Sequence, residues 1–159
     1  FKILRAAQPH IKKLFLKEKE NGITNFRKVV NISSTSGMFG NAGQINYATA
    51  KAGVVGMAKT MAKEWGRYNV NVNAVGFGLI KTRLTDSDAE KEESLIDIEG
   101  NKIKVGVNSA VFQSAKTMIP LGRPGTPQEA AGAIYMFCIP ESNYVTGQIL
   151  MCHGGGFGY

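Results

Sequence analysis

The chain has 159 residues, of which 43% are hydrophobic, and a formal net charge of +7. This length and composition predict one ordinary globular domain with a core of its own. The excess of basic residues would suit binding to nucleic acid, a membrane surface or an anionic cofactor. However, the sequence has no arginine-rich or aromatic-interleaved motif, and no apolar run approaches the roughly 20 residues of a membrane helix. We therefore expect neither a nucleic-acid-binding protein nor a membrane span.

The first half of the chain predicts two helices, each followed by a strand. Apolar residues at helical spacing indicate a helix over residues 1–20, and the β-branched run at 28–34 indicates a buried strand. A loop with three glycines then leads into a long helix over residues 46–68. The second strand is expected at 70–75.

The second half begins with a polar excursion, residues 83–118. Within it, residues 95–105 alternate in polarity around a Glu-Gly-Asn turn, which is typical of a hairpin. Thr126 is positioned to cap a helix over residues 127–137. A last short strand is predicted at 148–152.

This alternation of helices and strands predicts parallel strands joined by crossover helices, and hence an α/β fold. Three strands form a poor independent sheet, because a parallel sheet is buried on both faces and its edges are paired or covered. The chain also begins at Phe1 with no polar lead-in to its first helix. We therefore expect residues 1–159 to be a single partial domain, with further strands preceding Phe1.

Three residues could form a reaction centre. Ser34 ends the first predicted strand, and Tyr47 and Lys51 stand four residues apart at the start of the long helix, so that their side chains share a face. A nearby ammonium would stabilise a phenolate and make a tyrosine usable as a general acid or base. Tyr47 could then protonate a carbonyl oxygen polarised by Ser34. Side chains carry no hydride, so this chemistry implies a nicotinamide cofactor.

Each of these residues also has a structural alternative. A tyrosine and a lysine four residues apart are common on helix surfaces, and a loop serine can simply satisfy local backbone groups. The two cysteines, Cys138 and Cys152, have no metal-ligand spacing and are expected to be buried thiols in a reducing compartment. His10 and His153 stand alone, so no metal site is expected. The expected location is the cytoplasm, with an organelle as the alternative.

Several segments resemble the short-chain dehydrogenase/reductase family. The pattern of its catalytic segment is matched by Val30–Ser34 followed by Asn46–Gly53. Further matching segments follow in the same order: Val72–Val75, Ile119–Gly125, Pro140–Ser142 and Tyr144–Gln148. Within the family, the chain is most similar to the 3-oxoacyl-(acyl carrier protein) reductases.

The resemblance implies the C-terminal part of a Rossmann-type doubly wound parallel sheet, without the N-terminal strands that hold most of the cofactor. It also implies three catalytic roles. Tyr47 would be the acid/base, and Ser34 would polarise the carbonyl. Lys51 would lower the tyrosine pKa and hold the nicotinamide ribose.

The resemblance further implies a cofactor segment, a substrate contact and an assembly. Gly78, Ile80 and Thr82 match the segment that contacts the nicotinamide carboxamide and the phosphates. Gln44 lies where family members approach the substrate, and residues 83–118 would cover it. The two long helices would pack against partner copies, usually in a homotetramer.

Other family features are absent or altered. The glycine-rich cofactor loop, the adenosine-ribose selector and a catalytic asparagine would all precede Phe1. Gly76–Gly78 resembles the start of a dinucleotide-binding fingerprint, but Lys81 stands where the third glycine of that motif should be. The segment also follows the wrong strand of the fold for this motif, so we reject it as a dinucleotide-binding site. Phe77 replaces a usual proline, and His153 replaces a more usual aspartate.

These observations leave three functions open. The first is reduction of a 3-oxoacyl thioester or similar ketone with NADPH or NADH. The second keeps that chemistry and changes the substrate to a sugar, steroid or xenobiotic carbonyl. The third is a truncated, catalytically incompetent piece with a structural or interaction role. The sequence does not select between NAD and NADP.

Overall fold

The computed structural model describes residues 1–82, 95–98, 100–104, 114 and 117–156. In chain order the helices and strands are α1 (Lys2–Glu20), β1 (Arg27–Ser34), α2 (Thr35–Phe39), α3 (Ile45–Trp65), β2 (Val70–Phe77), β3 (Leu95–Ile98), β4 (Asn101–Lys104), α4 (Pro127–Tyr135) and β5 (Ile149–Cys152). Two 3-10 turns, Gly66–Tyr68 and Pro140–Ser142, follow α3 and precede β5.

The central sheet has the strand order β1-β2-β5, and both pairings are parallel. β1 and β2 pair over their whole lengths, from Arg27 opposite Val70 to Ser34 opposite Phe77. β5 joins the other side of β2, with Cys152 opposite Phe77. The carboxyl ends of all three strands therefore lie at one edge of the sheet.

Helices cover both faces of this sheet. Because alternate strand residues face opposite sides, Val70, Val72 and Ala74 form one apolar cluster with the C-terminal half of α3, and α1 packs on the same cluster through Leu4 and Ile11. Val75 faces the other way and packs with α4 and the residues that follow it. The predicted α/β class and parallel crossover arrangement are confirmed.

Most predicted elements occur within a few residues of their expected positions. The long helix ends at Trp65 and continues as a 3-10 turn, and Asn69 adopts φ 55°, a left-handed conformation that asparagine tolerates. The hairpin is present as the antiparallel pair β3–β4. The rest of the excursion 83–118, apart from residues 100, 114, 117 and 118, lies outside the described residues.

Two differences concern segments rich in glycine. The predicted loop after β1 begins as the short helix α2, because the Ser34 side chain caps it by accepting the N–H of Ser36. β2 extends two residues beyond its predicted end, since Gly76 and Phe77 are paired on both sides.

Asn73 fastens β5 to β2 by side-chain hydrogen bonds. It is 1% exposed, its Nδ2 donates to the Val145 carbonyl at 3.0 Å, and its Oδ1 accepts the Gln148 N–H at 2.9 Å. Both bonds satisfy backbone groups of the segment that enters β5. The buried Asn73 side chain thus takes the place of backbone pairing just before β2 and β5 begin to pair.

The first turn of α4 combines a cap with an ion pair. Thr126 accepts the N–H of Glu129, and the Glu129 carboxylate accepts the N–H of Thr126, which is a capping box. The Arg123 guanidinium donates to both oxygens of the same carboxylate, at 2.8 and 2.6 Å. The hydrogen bonds from Arg123 lower the pKa of the Glu129 carboxyl to about 2.

The stability of the folded protein should therefore fall at acid pH as Glu129 becomes protonated. Its folded-state pKa lies below the ordinary 4.5, so its contribution is fully present above that value and is lost as pH falls toward about 2. We expect Glu129→Gln to lower the denaturation midpoint at neutral pH, and the difference from the native protein to shrink between pH 4.5 and 2. A difference that is constant over this range would contradict the assignment. Glu64→Gln, an exposed carboxyl on α3, controls for the lost charge.

Candidate active site

Ser34 lies at the carboxyl end of β1 with a hydroxyl that is oriented by its own helix cap. The residue is 8% exposed, and its Oγ accepts the Ser36 N–H at 3.2 Å. Among the hydrogen bonds of the described residues, this hydroxyl takes part only as an acceptor. Its proton is therefore available to donate to another oxygen.

Lys51 is fixed between the sheet and Tyr47. Its Nζ donates to the Ile32 carbonyl at 3.1 Å and lies 5.6 Å from the centroid of the Tyr47 ring. At this distance the ammonium makes a cation–π contact with the ring. The i, i+4 spacing on α3 thus brings the two side chains together as predicted, and Tyr47 is 43% exposed.

The backbone of Lys51 is held as firmly as its side chain. The buried Ser33 hydroxyl donates to the Lys51 carbonyl at 2.8 Å. On the other side, Gly37 of α2 lies so close that a Cβ there would be 2.6 Å from the Lys51 carbonyl carbon and 2.8 Å from the Ala52 nitrogen. Only glycine permits this approach. α2 and β1 together therefore set the position of Lys51.

Gln44 precedes α3 and is joined to Ser34 through one residue. Its Oε1 accepts from the Ser36 hydroxyl at 3.0 Å and from Asn41 Nδ2 at 3.1 Å. Since Ser36 also donates its N–H to Ser34, a hydrogen-bonded chain connects the two predicted site residues. With two donors on its oxygen, the Gln44 side chain offers its NH₂ group as a donor.

The predicted cofactor segment begins beside Ser34. Phe77 is the register partner of Ser34, and Gly78 follows it, with its N–H donating to the Cys152 carbonyl at 3.0 Å. Ile80 forms a parallel bridge with Gly125. Thr82 is exposed and lies further along the same segment. The backbone at 78–80 thus lies at the carboxyl edge of the sheet, where α/β proteins bind ligands.

The remaining sequence expectations have mixed outcomes. The described residues contain no group of three His, Cys, Asp or Glu side chains that could hold a metal ion, and none of their helices is long and apolar enough to cross a membrane. The prediction of two buried thiols was wrong for Cys138, which is exposed just after α4. Cys152 is half-buried, and burial raises its pKa.

Comparison with known proteins agrees with this arrangement. The profile of a family described as enoyl-(acyl carrier protein) reductase matches residues 11–156. The chain is 42% identical over 127 residues to the 3-oxoacyl-[acyl-carrier-protein] reductase FabG of Thermotoga maritima. It is 38% identical over 147 residues to the corresponding reductase of Synechocystis. The chain belongs to the short-chain dehydrogenase/reductase family.

The matches cover most of this chain and about half of each relative. They span 80% of the chain and 44% of the Thermotoga reductase, and 91% of the chain and 48% of the Synechocystis protein. A 4-hydroxyisoleucine dehydrogenase solved with NADH has a similar fold, with a TM-score of 0.64 at 23% identity over 91% of this chain and 51% of that one. The predicted partial Rossmann-type fold is confirmed.

The sequence does not predict the residues that hold this candidate site in place. In the sequence, Ser33 belongs to a predicted strand, and Ser36, Gly37 and Asn41 belong to the predicted loop with three glycines. The double serine followed by a glycine was the available signal, because small polar residues at a strand end commonly bond to nearby backbone.

Replacing Gly37 by alanine tests the contact that positions Lys51. The new methyl would overlap the backbone of α3, so we expect Gly37→Ala to lower the free energy of unfolding by about 1–3 kcal/mol, the usual cost of overpacking. Denaturant titration measures this change.

Gly56→Ala is the matched control, because a methyl at this exposed position of α3 meets nothing within 4 Å. That variant should be as stable as the native protein or slightly more stable. Equal stability of Gly37→Ala and Gly56→Ala would show that α2 does not constrain α3.

Proposed function

We propose that the protein reduces a carbonyl group to an alcohol with a nicotinamide cofactor, and that Ser34, Tyr47 and Lys51 are its catalytic residues. The observation that carries this proposal is the position of Lys51 Nζ, 3.1 Å from the Ile32 carbonyl and 5.6 Å from the Tyr47 ring centroid. A purely superficial tyrosine and lysine would need neither the anchoring of the ammonium nor the fixed backbone beneath it. Family membership supports the same reading.

The residues fit a nicotinamide nucleotide. An ammonium has three N–H donors, and Lys51 uses one of them on Ile32, which leaves donors for ribose hydroxyls. The backbone of residues 78–80 lies at the carboxyl edge of the sheet, where a flat ring could lie against it. When bound, the nicotinamide would supply the hydride that no side chain can provide.

The protein's own groups would handle the oxygen and the proton. The free proton of the Ser34 hydroxyl would donate a hydrogen bond to the substrate carbonyl oxygen and polarise it. The Tyr47 hydroxyl would transfer its proton to that oxygen as the carbon is reduced, and the resulting phenolate would be stabilised by Lys51. Carbonyl, hydride and proton together give the alcohol.

For the substrate we propose a 3-oxoacyl thioester, carried by an acyl carrier protein or a similar thiol. The relatives' names support this choice. So does the NH₂ group of Gln44, because a 3-oxoacyl thioester presents a second carbonyl oxygen near the reacting one that this group could contact. The family description names enoyl substrates instead, and sugar, steroid and xenobiotic carbonyls are the further alternatives. The homotetramer stays a prediction.

Replacing Tyr47 by phenylalanine should lower turnover by roughly 10² to 10⁴, the usual contribution of a general acid. The full-length protein would be assayed by consumption of NADPH or NADH with a 3-oxoacyl thioester. Tyr135→Phe, which removes an exposed hydroxyl on α4, is the matched control and should retain turnover. Comparable turnover in the two variants would remove Tyr47 from the reaction centre.

The substrate class is tested by comparing a 3-oxoacyl thioester, the corresponding 2-enoyl thioester and a simple ketone in the same assay. The proposal expects the first to react with the highest kcat/KM. A preference for the enoyl thioester would replace carbonyl reduction by double-bond reduction.

A structural role without catalysis is the second candidate, and two observations favour it. Among the described residues, β1 is paired on one side only, and the chain spans about half the length of its relatives. Titration of residues 1–159 with NADPH, followed by nucleotide fluorescence, separates the two readings of this chain. If residues 1–159 bind NADPH with a micromolar Kd, that result favours a catalytic unit formed by these residues alone. If only the full-length protein binds NADPH, residues 1–159 need further sequence to hold the nucleotide.

A further inference from the structure

The residue after β5 lies directly against the segment proposed to meet the nicotinamide. A Cβ on Gly78 would be 2.7 Å from the Cβ of His153 and 3.0 Å from its Cα. Cys152, the residue before His153, accepts the Gly78 N–H through its carbonyl. Gly78 therefore packs directly against His153, and there is no room for a side chain at position 78.

His153 is itself held by the turn that follows it. The Gly155 N–H donates to His153 Nδ1 at 3.2 Å, so Nδ1 acts as the acceptor. Gly154 and Gly155 have φ values of 67° and 81°, which glycine adopts without strain. Gly154 also lies against Ile119, because a Cβ there would be 2.6 Å from the Ile119 side chain.

The opposite side of the segment is held by backbone hydrogen bonds to Gly125. The Gly125 N–H donates to the Leu79 carbonyl at 2.9 Å, and the Lys81 N–H donates to the Gly125 carbonyl at 2.8 Å. A cavity of about 140 Å³ lies between the two supports and is lined by residues of both, including Ile80, Gly125 and His153. The segment therefore has room to shift if either support is weakened.

We propose that His153 is a positioning residue, which holds the backbone of residues 78–80 in the conformation that binds the nicotinamide. This inference rests on the proposed function. A segment that is already ordered costs less conformational entropy when the nucleotide binds. His153 acts through Gly78, so its loss affects nucleotide affinity and leaves proton transfer from Tyr47 largely unaltered.

The test uses two substitutions of His153 in the full-length protein. His153→Leu keeps the Cβ that contacts Gly78 and removes the acceptor for Gly155. His153→Asn places an amide oxygen where Nδ1 was, so the bond can form again. His10→Leu, on the exposed face of α1, controls for the loss of an imidazole.

We expect His153→Leu to raise the Kd and KM for the nicotinamide nucleotide by about 3- to 10-fold, the effect of one hydrogen bond, while kcat changes by less than about twofold. His153→Asn should restore most of the affinity. Amide exchange at Gly78 and Lys81 should accelerate in His153→Leu and return toward the native rate in His153→Asn.

Equal KM values for the native protein and His153→Leu, or equal defects in the leucine and asparagine variants, would overturn the positioning role. A fall in kcat without a change in KM would do so as well, because it would indicate a part in the chemical step. Failure of the native protein to bind nucleotide would instead refute the proposed function. Amide exchange would then still decide whether His153 holds the segment.

Discussion

The parallel register between β1 and β2 determines where every group of the candidate site lies. Because Ser33 pairs with Gly76 and Ser34 with Phe77, the Ser33 hydroxyl reaches the Lys51 carbonyl on one face while Ser34 ends the strand beside Gly78. A slip of one residue would exchange the faces of the two serines and break the bond from Ser33 to Lys51. The register is protected by burial, since Val70 and Val72 on β2 are at most 1% exposed.

Much of the fold was predictable because local patterns agree with it. The periodicity of the long helix, the β-branched strand of β1 and the cap at Thr126 each indicate the element that forms. The exceptions have a common cause. The segments of α2 and of the end of β2 contain glycine, which locally suggests a loop or turn. In the folded protein, contacts with other elements determine the conformation of both segments. The Ser34 cap and packing against α3 make the first segment the helix α2, and pairing with both neighbouring strands extends β2.

Of the candidate site, only the proximity of Tyr47 and Lys51 was predictable from the sequence. A spacing of four residues brings Tyr47 and Lys51 together on one helix face, and this local geometry can be read from the sequence. The supports of that pair join residues that are distant along the chain, as in the bond from Ser33 to Lys51 and the contact between Gly78 and His153. Such contacts depend on crossover connections and strand order, so no local pattern indicates them.

The Tyr47–Lys51 pair lies at the boundary between a packed and an exposed part of α3. The buried residues of α3 all lie in its C-terminal half, whereas Ile45 is 84% exposed near its start and Tyr47 is 43% exposed. Carbonyl reduction benefits from an environment that excludes water, because electrostatic stabilisation weakens in solvent. Under the proposed function, Tyr47 would therefore need cover from cofactor, substrate or further protein surface. Lys51 does not need this cover to find its position, since Ser33, Gly37 and the Ile32 carbonyl already fix it. The Lys51 ammonium is thus held in place by β1 and α2 and not by the packed half of α3.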